Sequence, residues 1–330
     1  MNWLAPITSN NWQYQTTGTP SAMNRQLVYV SRIDESQEVF VIGIDGSGQH
    51  RLTNSVAKNS DPVWSPDGNH IVFVSQHESV SEIYVMDING KNILNLTSDS
   101  TYNVNPSWSP DGRQIAFSSN KMGPTVIYLV DANGNNLMKL TSGSGNDDYP
   151  VWSPDGKHIA FVSDRDGKMK IYIIDANGNN LMKLTSGSGN DDRPAWSPDG
   201  KHIAFVSDRD GNLDIYVVDA NGMNLTNLTD NRSYDYGPNW SPDGKYIAFV
   251  SDRSGSFKVY IMDSDGTHPT DLGISINGDT PAWSPDSKSL AFVAKDHDNS
   301  YIYAVGVDGE NLRRLTNSGY DDSPAWQPTN

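Results

Sequence analysis

The sequence predicts an all-β fold, a seven-bladed β-propeller with four antiparallel strands in each blade. Three observations lead to this prediction. A Trp-Ser-Pro-Asp phrase returns about every 44 residues, each unit contains four short runs typical of strands, and no segment shows a helical period. Repeats of roughly 40 to 50 residues with this content are typical of propeller blades. A linear solenoid would need distinct capping repeats, which the sequence does not show.

The tryptophans set the repeat. Six begin the phrase Trp-Ser-Pro-Asp and a seventh begins the altered form Trp-Gln-Pro: Trp64, Trp108, Trp152, Trp196, Trp240, Trp283 and Trp326. We expect these rings to be structural, because a large side chain beside each innermost strand fills the wedge between neighbouring blades. Residues 131–148 and 175–192 are identical, which indicates recent duplication or deliberate assembly of the array.

Each unit reads as four strands, from the inside of the blade outward. Pro-x-Trp forms a short first strand, an IAFVS-like run the second, an IYVVD-like run the third and an NLMKLT-like run the outermost. The turns agree with these boundaries. Ser-Pro-Asp-Gly suits a tight turn, since Pro presets φ and Gly accepts a positive φ.

The two chain ends predict how the ring closes. The first IAFVS-like run, at 27–31, has no Trp motif before it, and the last motif, at 324–326, has no strand after it. The C-terminal strand should therefore pair in the first blade as its inner strand, which removes open sheet edges. A competing solution uses residues 19–22 as a decayed inner strand. We predict an N-terminal arm over residues 1–25 and a single seven-bladed propeller over residues 26–330.

The composition narrows the possible partners. The 330 residues include 24 Lys and Arg against 40 Asp and Glu, a formal net charge of −16. Such a surface repels phosphate backbones and anionic lipids, so we expect no nucleic-acid partner. No run of 18 apolar residues occurs, so we expect no membrane insertion. The chain has no cysteine, and its start lacks the pattern of a signal peptide, which predicts a cytoplasmic protein or one whose signal has been removed.

The repeat resembles that of the TolB-type β-propellers. The pattern D-x-P-A-W-S-P-D-G-K-x-I-A-F-V-S-D-R-x-G-x-x-x-I-Y-V-M-D-x-x-G carries the resemblance, with its clearest copies at 192–222 and 148–178. The resemblance implies a periplasmic or secreted protein that binds protein partners. The chain departs from TolB itself in having seven units rather than six and no room for its extra α/β domain. Similar repeats occur in peptidase propellers and in a seven-bladed pectin-fragment lyase, so the resemblance fixes architecture more than function.

Acidic residues stand just before the inner strand in most units. Four residues before the Trp stand Asp148, Asp192, Asp279 and Asp322. One position earlier stand Asp147, Asp191, Asp235 and Asp321. Because the inner strands converge on the axis, this spacing predicts a ring of carboxylates at one channel mouth. The alternatives are Asx turns at the strand entries or plain surface solvation. We expect no cofactor except possible Ca²⁺ binding, for which the first set of four would supply oxygen ligands.

The position three before the Trp differs in every unit. In chain order it reads Asp61, Asn105, Tyr149, Arg193, Gly237, Thr280 and Ser323. A ligand-facing position would vary in this way, and so would an unconstrained surface position. Together with the neighbouring Tyr236 and Tyr102, these residues form our candidate surface for a protein or peptide.

Three functions stay open at this stage. The first is a non-catalytic scaffold, a monomer that recognises a protein or peptide at the acidic mouth. The second is a carbohydrate- or peptide-processing lyase or hydrolase with its site there, and the third is an idealised or recently amplified propeller with no evolved ligand. We expect no catalysis, because His70, His158 and His202 lie in separate units and no common catalytic motif occurs.

An arginine stands at the end of the second strand in several units. Three of them follow an aspartate directly: Arg165, Arg209 and Arg253. We expect them to form ion pairs from blade to blade.

Overall fold

The computed structural model describes residues 26–99, 101–276 and 280–329. These residues form 28 strands and no helix, and hence no helix long and apolar enough to cross a membrane. The strands make seven four-stranded blades, which confirms the predicted fold class. The predicted arm at 1–25 and Asp279 both lie outside the described residues.

The first three blades are built as follows, from the inner strand outward. Blade one contains β28 (Asp321–Trp326), β1 (Gln26–Ile33), β2 (Ser36–Gly43) and β3 (His50–Arg51). Blade two contains β4 (Lys58–Trp64), β5 (His70–His77), β6 (Val80–Asp87) and β7 (Leu94–Asn95). Blade three contains β8 (Asn103–Trp108), β9 (Gln114–Ser119), β10 (Val126–Asp131) and β11 (Met138–Lys139).

The remaining four blades follow the same order. Blade four contains β12 (Asp147–Trp152), β13 (His158–Ser163), β14 (Lys170–Asp175) and β15 (Met182–Lys183). Blade five contains β16 (Asp191–Trp196), β17 (His202–Ser207), β18 (Asp214–Asp219) and β19 (Thr226–Asn227). Blade six contains β20 (Asp235–Trp240), β21 (Tyr246–Ser251), β22 (Lys258–Asp263) and β23 (Thr270–Ser275). Blade seven contains β24 (Ala282–Trp283), β25 (Ser289–Asp296), β26 (Asn299–Gly306) and β27 (Arg313–Arg314).

The chain ends meet in blade one. Strand β28 pairs antiparallel with β1, so that Trp326 lies opposite Leu27 and Asp321 lies opposite Ser31. Blade one therefore holds three strands from the start of the chain and one from its end, the arrangement that the sequence predicts. A single parallel pair, Gln37 with Lys58, connects it to blade two.

The hydrophobic core is divided among the blade interfaces. The described residues form seven clusters of buried apolar side chains, each of which combines residues from two neighbouring blades. The seventh interface joins blade seven to blade one, where Val293 and Ile302 belong to the same buried cluster as Tyr29 and Phe40. Thin sheets stacked around an axis explain why an apolar fraction of only 36% suffices.

A ring of tryptophan hydrogen bonds runs through all seven blades. Each indole Nε1 donates to the carbonyl oxygen of the residue just before the Trp of the preceding blade, at 2.9 to 3.2 Å. Trp326 thus donates to Ala282 of blade seven, and Trp64 donates to Ala325 of blade one. The side chains also pack in the interface clusters, which confirms their predicted structural role.

Two kinds of hairpin join the second and third strands. In blades one, two and seven these strands have eight residues each and are joined by tight two-residue turns. In blades three to six they have six residues and are joined by a longer loop. The ring therefore has a short-hairpin half and a long-loop half.

Candidate functional site

The variable position lies in a β-bulge at the start of the inner strand. In blade four the pairing of β12 with β13 shifts between Asp148 and Val151, and the same shift occurs in blades one, two, three, five and six. The residue three before the Trp has a φ of 50 to 65° in these six blades. The repeat thus holds its most variable residue in the left-handed region.

Left-handed backbone is costly for two of these residues. Asp61 and Asn105 tolerate it, because short polar side chains bond locally, and Gly237 has no Cβ to clash. Tyr149 and Arg193 adopt φ values of 55° and 53°, although such residues pay roughly 1 kcal/mol or more there. Strain kept by large, exposed side chains is typical of sites where the side-chain direction matters.

The inner strands form a closed ring around the axis. Each inner strand contacts the next, and β28 contacts β4. Side chains at and beside the bulges form hydrogen bonds between blades around the opening of this ring. Asn105 Nδ2 donates to Asp148 Oδ1 at 2.7 Å, and Arg193 Nη1 donates to Thr280 Oγ1 at 3.4 Å, from blade five to blade seven. The Arg193 guanidinium also lies 5.8 Å from the centre of the Tyr236 ring. We call this opening the mouth.

The mouth is electrostatically uneven. Desolvation by the channel wall raises the pKa of Asp61, and the charge of Asp322 raises it further, although the Ser60 hydroxyl partly offsets both effects. Burial raises the pKa of the Tyr149 hydroxyl, with added contributions from Asp148 and other rim carboxylates. The described rim residues therefore combine several carboxylates with the cation of Arg193, and both kinds of charge act on the Tyr149 hydroxyl.

The predicted calcium ligands are engaged locally. The carboxylate Oδ1 of Asp148, Asp192 and Asp322 accepts the backbone N–H of the next residue at 2.6 to 2.8 Å. The fourth, Asp279, lies outside the described residues. Among the residues that the structure describes, no three His, Asp or Glu side chains are grouped to hold a metal ion. These contacts correspond to the Asx-type alternative.

The acids one position earlier are not at the mouth surface. Asp147, Asp191, Asp235 and Asp321 are at most 1% exposed, so the prediction that they belong to a rim of carboxylates is wrong. Their position on the inner strand turns them into the blade, where Asp147 accepts two hydrogen bonds of 2.7 Å from Arg165.

The predicted blade-to-blade arginine pairs are also wrong. Arg165, Arg209 and Arg253 each pair with the buried aspartate of their own blade, because strand two lies directly beside the inner strand. An ion pair that does cross an interface joins Lys170 of blade four to Asp191 of blade five at 3.0 Å, and both side chains are buried. The sequence alone did not single it out, because blade six also has a lysine, Lys258, at this strand position.

The histidines do not converge. His70, His158 and His202 lie in separate blades near the Ser-Pro-Asp-Gly turns, and each Nε2 lies 3.4 to 3.7 Å from the aspartate that ends the third strand. A cavity of about 640 Å³ opens beside His158, between blades four and five, with Trp196 and Met182 in its wall. This cavity is on the face opposite the mouth.

The fold is that of a seven-bladed propeller whose inner-strand bulges carry residues that differ from blade to blade. A family model for the TolB beta propeller domain matches residues 13–109, 91–193 and 183–330. The chain therefore belongs to the TolB beta propeller family.

Known proteins share this fold with different roles. The Tol-Pal system protein TolB of Desulfosudis oleivorans is 35% identical over 54 residues, which is 16% of this chain and 12% of that protein. TolB from Acinetobacter baumannii superposes with a TM-score of 0.64 at 24% identity, over 95% of this chain and 69% of that one. A puromycin-hydrolyzing peptidase of Mycobacterium tuberculosis gives 0.71 at 13% identity, over 89% and 54%. At these identities the solved structures show a common fold, and that fold serves both a Tol-Pal protein and a peptidase.

Proposed function

We propose that this protein is a non-catalytic scaffold that binds a protein or peptide at the mouth, in the periplasm or outside the cell. The observation that carries the proposal is the strained bulge. Six blades hold the residue three before the Trp in left-handed backbone, and all seven units have a different residue type at this position. The Tol-Pal name of the related proteins supports a protein partner.

The charges of the mouth favour a partner with a basic segment. Asp61, Asp148, Asp192 and Asp322 supply carboxylates around the opening, and Arg193 supplies a guanidinium group. These carboxylates would attract the Lys or Arg side chains of an extended peptide. Its backbone or an aromatic residue could stack against Tyr149, which is 47% exposed.

Binding of defined peptides tests the proposal. Immobilised synthetic peptides of basic, neutral and acidic sequence are titrated with the protein at low and at physiological salt. We expect the basic peptides to bind best and to lose affinity as salt rises. The double variant Asp61→Asn with Asp322→Asn should weaken their binding about tenfold, since each rim charge contributes roughly 0.5 to 1 kcal/mol.

A matched control changes the same charge on the opposite face. The double variant Asp155→Asn with Asp199→Asn removes two acids from the Ser-Pro-Asp-Gly turns and should leave peptide affinity unchanged. Equal losses in both double variants would mean that net charge, and not the mouth, attracts the peptides. Cleavage of a peptide by the wild-type protein would support the enzymatic alternative instead.

The strain at the bulge supplies an independent test. Tyr149→Gly removes a side chain from left-handed backbone, and Gly237 shows that the repeat accepts glycine at this position. We expect the free energy of unfolding to rise by about 1 kcal/mol while peptide affinity falls. A Tyr149→Gly protein with unchanged affinity and lower stability contradicts a recognition role for this residue.

A further inference from the structure

Blade four shows how the fold neutralises its buried aspartate. Arg165 Nη2 donates to both carboxylate oxygens of Asp147 at 2.7 Å, and its Nε donates to Ser163 Oγ at 2.9 Å. The guanidinium lies 5.6 Å from the Phe161 ring centre and 4.9 Å from that of Tyr172. The site thus consists of a carboxylate, a serine hydroxyl and an aromatic pair around one guanidinium.

The same site recurs in the next two blades. Arg209 lies 2.8 Å from Asp191, and Arg253 lies 3.0 Å from Asp235. Each Nε again donates at 2.9 Å to the serine that ends the second strand. Three copies in one chain show that this constellation selects a guanidinium group.

Blades two and three lack the acid. They have Asn59 and Asn103 at its position. Lys121 stands at the arginine position of blade three and pairs with Asp99 at 3.2 Å. Across blades two to six, the buried aspartate and the arginine therefore occur together or are both replaced.

Blade one breaks this rule. Asp321 is present and fully buried, but Ile33 occupies the position of the arginine. The neighbouring Arg32 turns elsewhere, since its Nε donates to the carbonyl of Asp34 at 3.1 Å and its guanidinium lies 5.7 Å from the centre of the Tyr320 ring. The long loop that carries Arg165 in blade four is replaced here by a tight hairpin, which explains the change.

As a result, buried polar atoms of blade one lack hydrogen-bond partners among the described residues. Within the described residues, Asp321 Oδ2 and Ser31 Oγ have no hydrogen-bond partner, and both side chains are fully buried. Asp321 Oδ1 accepts the Ser318 hydroxyl. Tyr29 replaces the Phe161 of blade four, and both its burial and the Asp321 charge raise the pKa of its hydroxyl, while the Gln49 amide partly offsets this. A buried carboxylate without such partners costs several kcal/mol, so a cation bound beside it would stabilise the folded state.

We propose that Asp321, Ser31 and Tyr29 form a binding pocket for a guanidinium group, supplied by an arginine side chain of a partner or by a small guanidinium compound. The equivalent arginine side chains of blades four to six are 12 to 22% exposed, so this position lies just beneath the surface. A ligand reaches it past the partly exposed Ile33. The pocket lies within blade one beside the closing strand, so the proposal does not depend on the function of the mouth.

The chemistry favours a guanidinium over a metal ion or an ammonium group. No cluster of three acidic or histidine side chains exists in the described part of the chain. The one buried ammonium group on an equivalent acid, Lys170 on Asp191, comes from the third strand of the preceding blade. Blade seven precedes blade one in the ring and has Tyr301 at the equivalent position. It therefore supplies no lysine that could pair with Asp321 in the way that Lys170 pairs with Asp191.

Thermal unfolding with methylguanidinium tests the pocket. The wild-type midpoint is measured with low-millimolar methylguanidinium chloride, against sodium chloride at equal ionic strength and against methylurea, a neutral molecule of similar shape. We expect methylguanidinium to raise the midpoint by about 2 °C relative to both references. The response should disappear in Asp321→Asn, which removes the charge, and in Ile33→Arg, which supplies the guanidinium within the chain.

Blade four offers the matched positive control. In Arg165→Ile the midpoint should fall, and methylguanidinium should restore part of the loss, because that substitution recreates the composition of blade one. A blocked Gly-Arg-Gly peptide, compared with its citrulline counterpart, separates the two sources: a rise with this peptide indicates a side chain of a partner. A wild-type midpoint that does not rise with methylguanidinium, or that rises equally in Ile33→Arg and Asp321→Asn, overturns the proposal.

Discussion

Blade four and blade one place the same buried aspartate on the same kind of strand and treat it differently. Both carboxylate oxygens of Asp147 accept hydrogen bonds from Arg165 Nη2 of the same blade, whereas the Asp321 side chain receives only the Ser318 hydroxyl from the described residues. Blade four is formed from one continuous stretch of chain, while blade one joins the two ends. Within the described residues, ring closure therefore rests on backbone pairing, apolar packing and the tryptophan ring, and the ion pair found in blades four to six is not among its contacts.

The largest expected effect comes from breaking the ion pair of blade four. Arg165→Met leaves Asp147 buried without its cation and should lower the free energy of unfolding by about 3 kcal/mol. Urea denaturation measures this loss. The control is Arg113→Met, whose pair with Asp111 is solvent-exposed at 3.8 Å and should matter by less than about 0.5 kcal/mol. Equal losses in both variants would contradict the special role of the buried pair.

The same Asp→Asn substitution at this repeat position should change the free energy of unfolding in opposite directions in the two blades. Asp147→Asn weakens a paired site and should destabilise the protein by about 2 kcal/mol, because the buried Arg165 loses its counter-charge. Asp321→Asn removes a carboxylate without a cation and should stabilise it by about 1 kcal/mol. Both values follow from denaturation in the absence of guanidinium compounds. Destabilisation of similar size in both variants would indicate that Asp321 is already neutralised.

The interface between blades five and six adds a pH test. Burial raises the pKa of Asp214 above its ordinary value of 3.8, and the nearby Asp235 raises it further, although Asn227 and Asn212 donate hydrogen bonds that lower it. The folded state therefore binds the proton more tightly than the unfolded state. This contribution to stability is complete below the ordinary pKa and is lost as pH rises through the raised one.

Asp214→Asn should remove that dependence. The difference in free energy of unfolding between wild type and variant should shift in favour of the variant as pH rises from acid toward neutral. Denaturation at a series of pH values measures it. A constant difference across this range would mean that the pKa of Asp214 is the same in both states.

The smallest effect is expected at the turns on the opposite face. Lys157 lies 3.6 Å from Asp155, and the two side chains are 76% and 51% exposed. Lys157→Gln should change the free energy of unfolding by no more than about 0.3 kcal/mol, since exposed pairs are screened by water and salt. A loss comparable to that of Arg165→Met would erase the distinction between buried and exposed pairs.

The repeat allowed much of the fold to be predicted, because seven Trp motifs and seven second strands leave few closed arrangements. The partner of Trp326 followed from the unpaired run at Leu27. The direction of side chains was harder to predict. Asp147 and Asp148 are adjacent in the sequence, yet alternation along a strand buries the first and leaves the second partly exposed. The bulge that holds Tyr149 also left no clear signal, since it depends on one extra residue in the pairing of two strands.

The tryptophan ring has a consequence for the size of the molecule. Each blade offers an indole N–H on one side and a carbonyl on the other, so every junction is head-to-tail and has the same polarity. Contacts of this kind either close into a ring or continue as an open filament, and the rotation at each junction decides which. The rotation between neighbouring blades therefore sets the number of blades, because the ring closes when seven equal junctions bring the last blade back to the first.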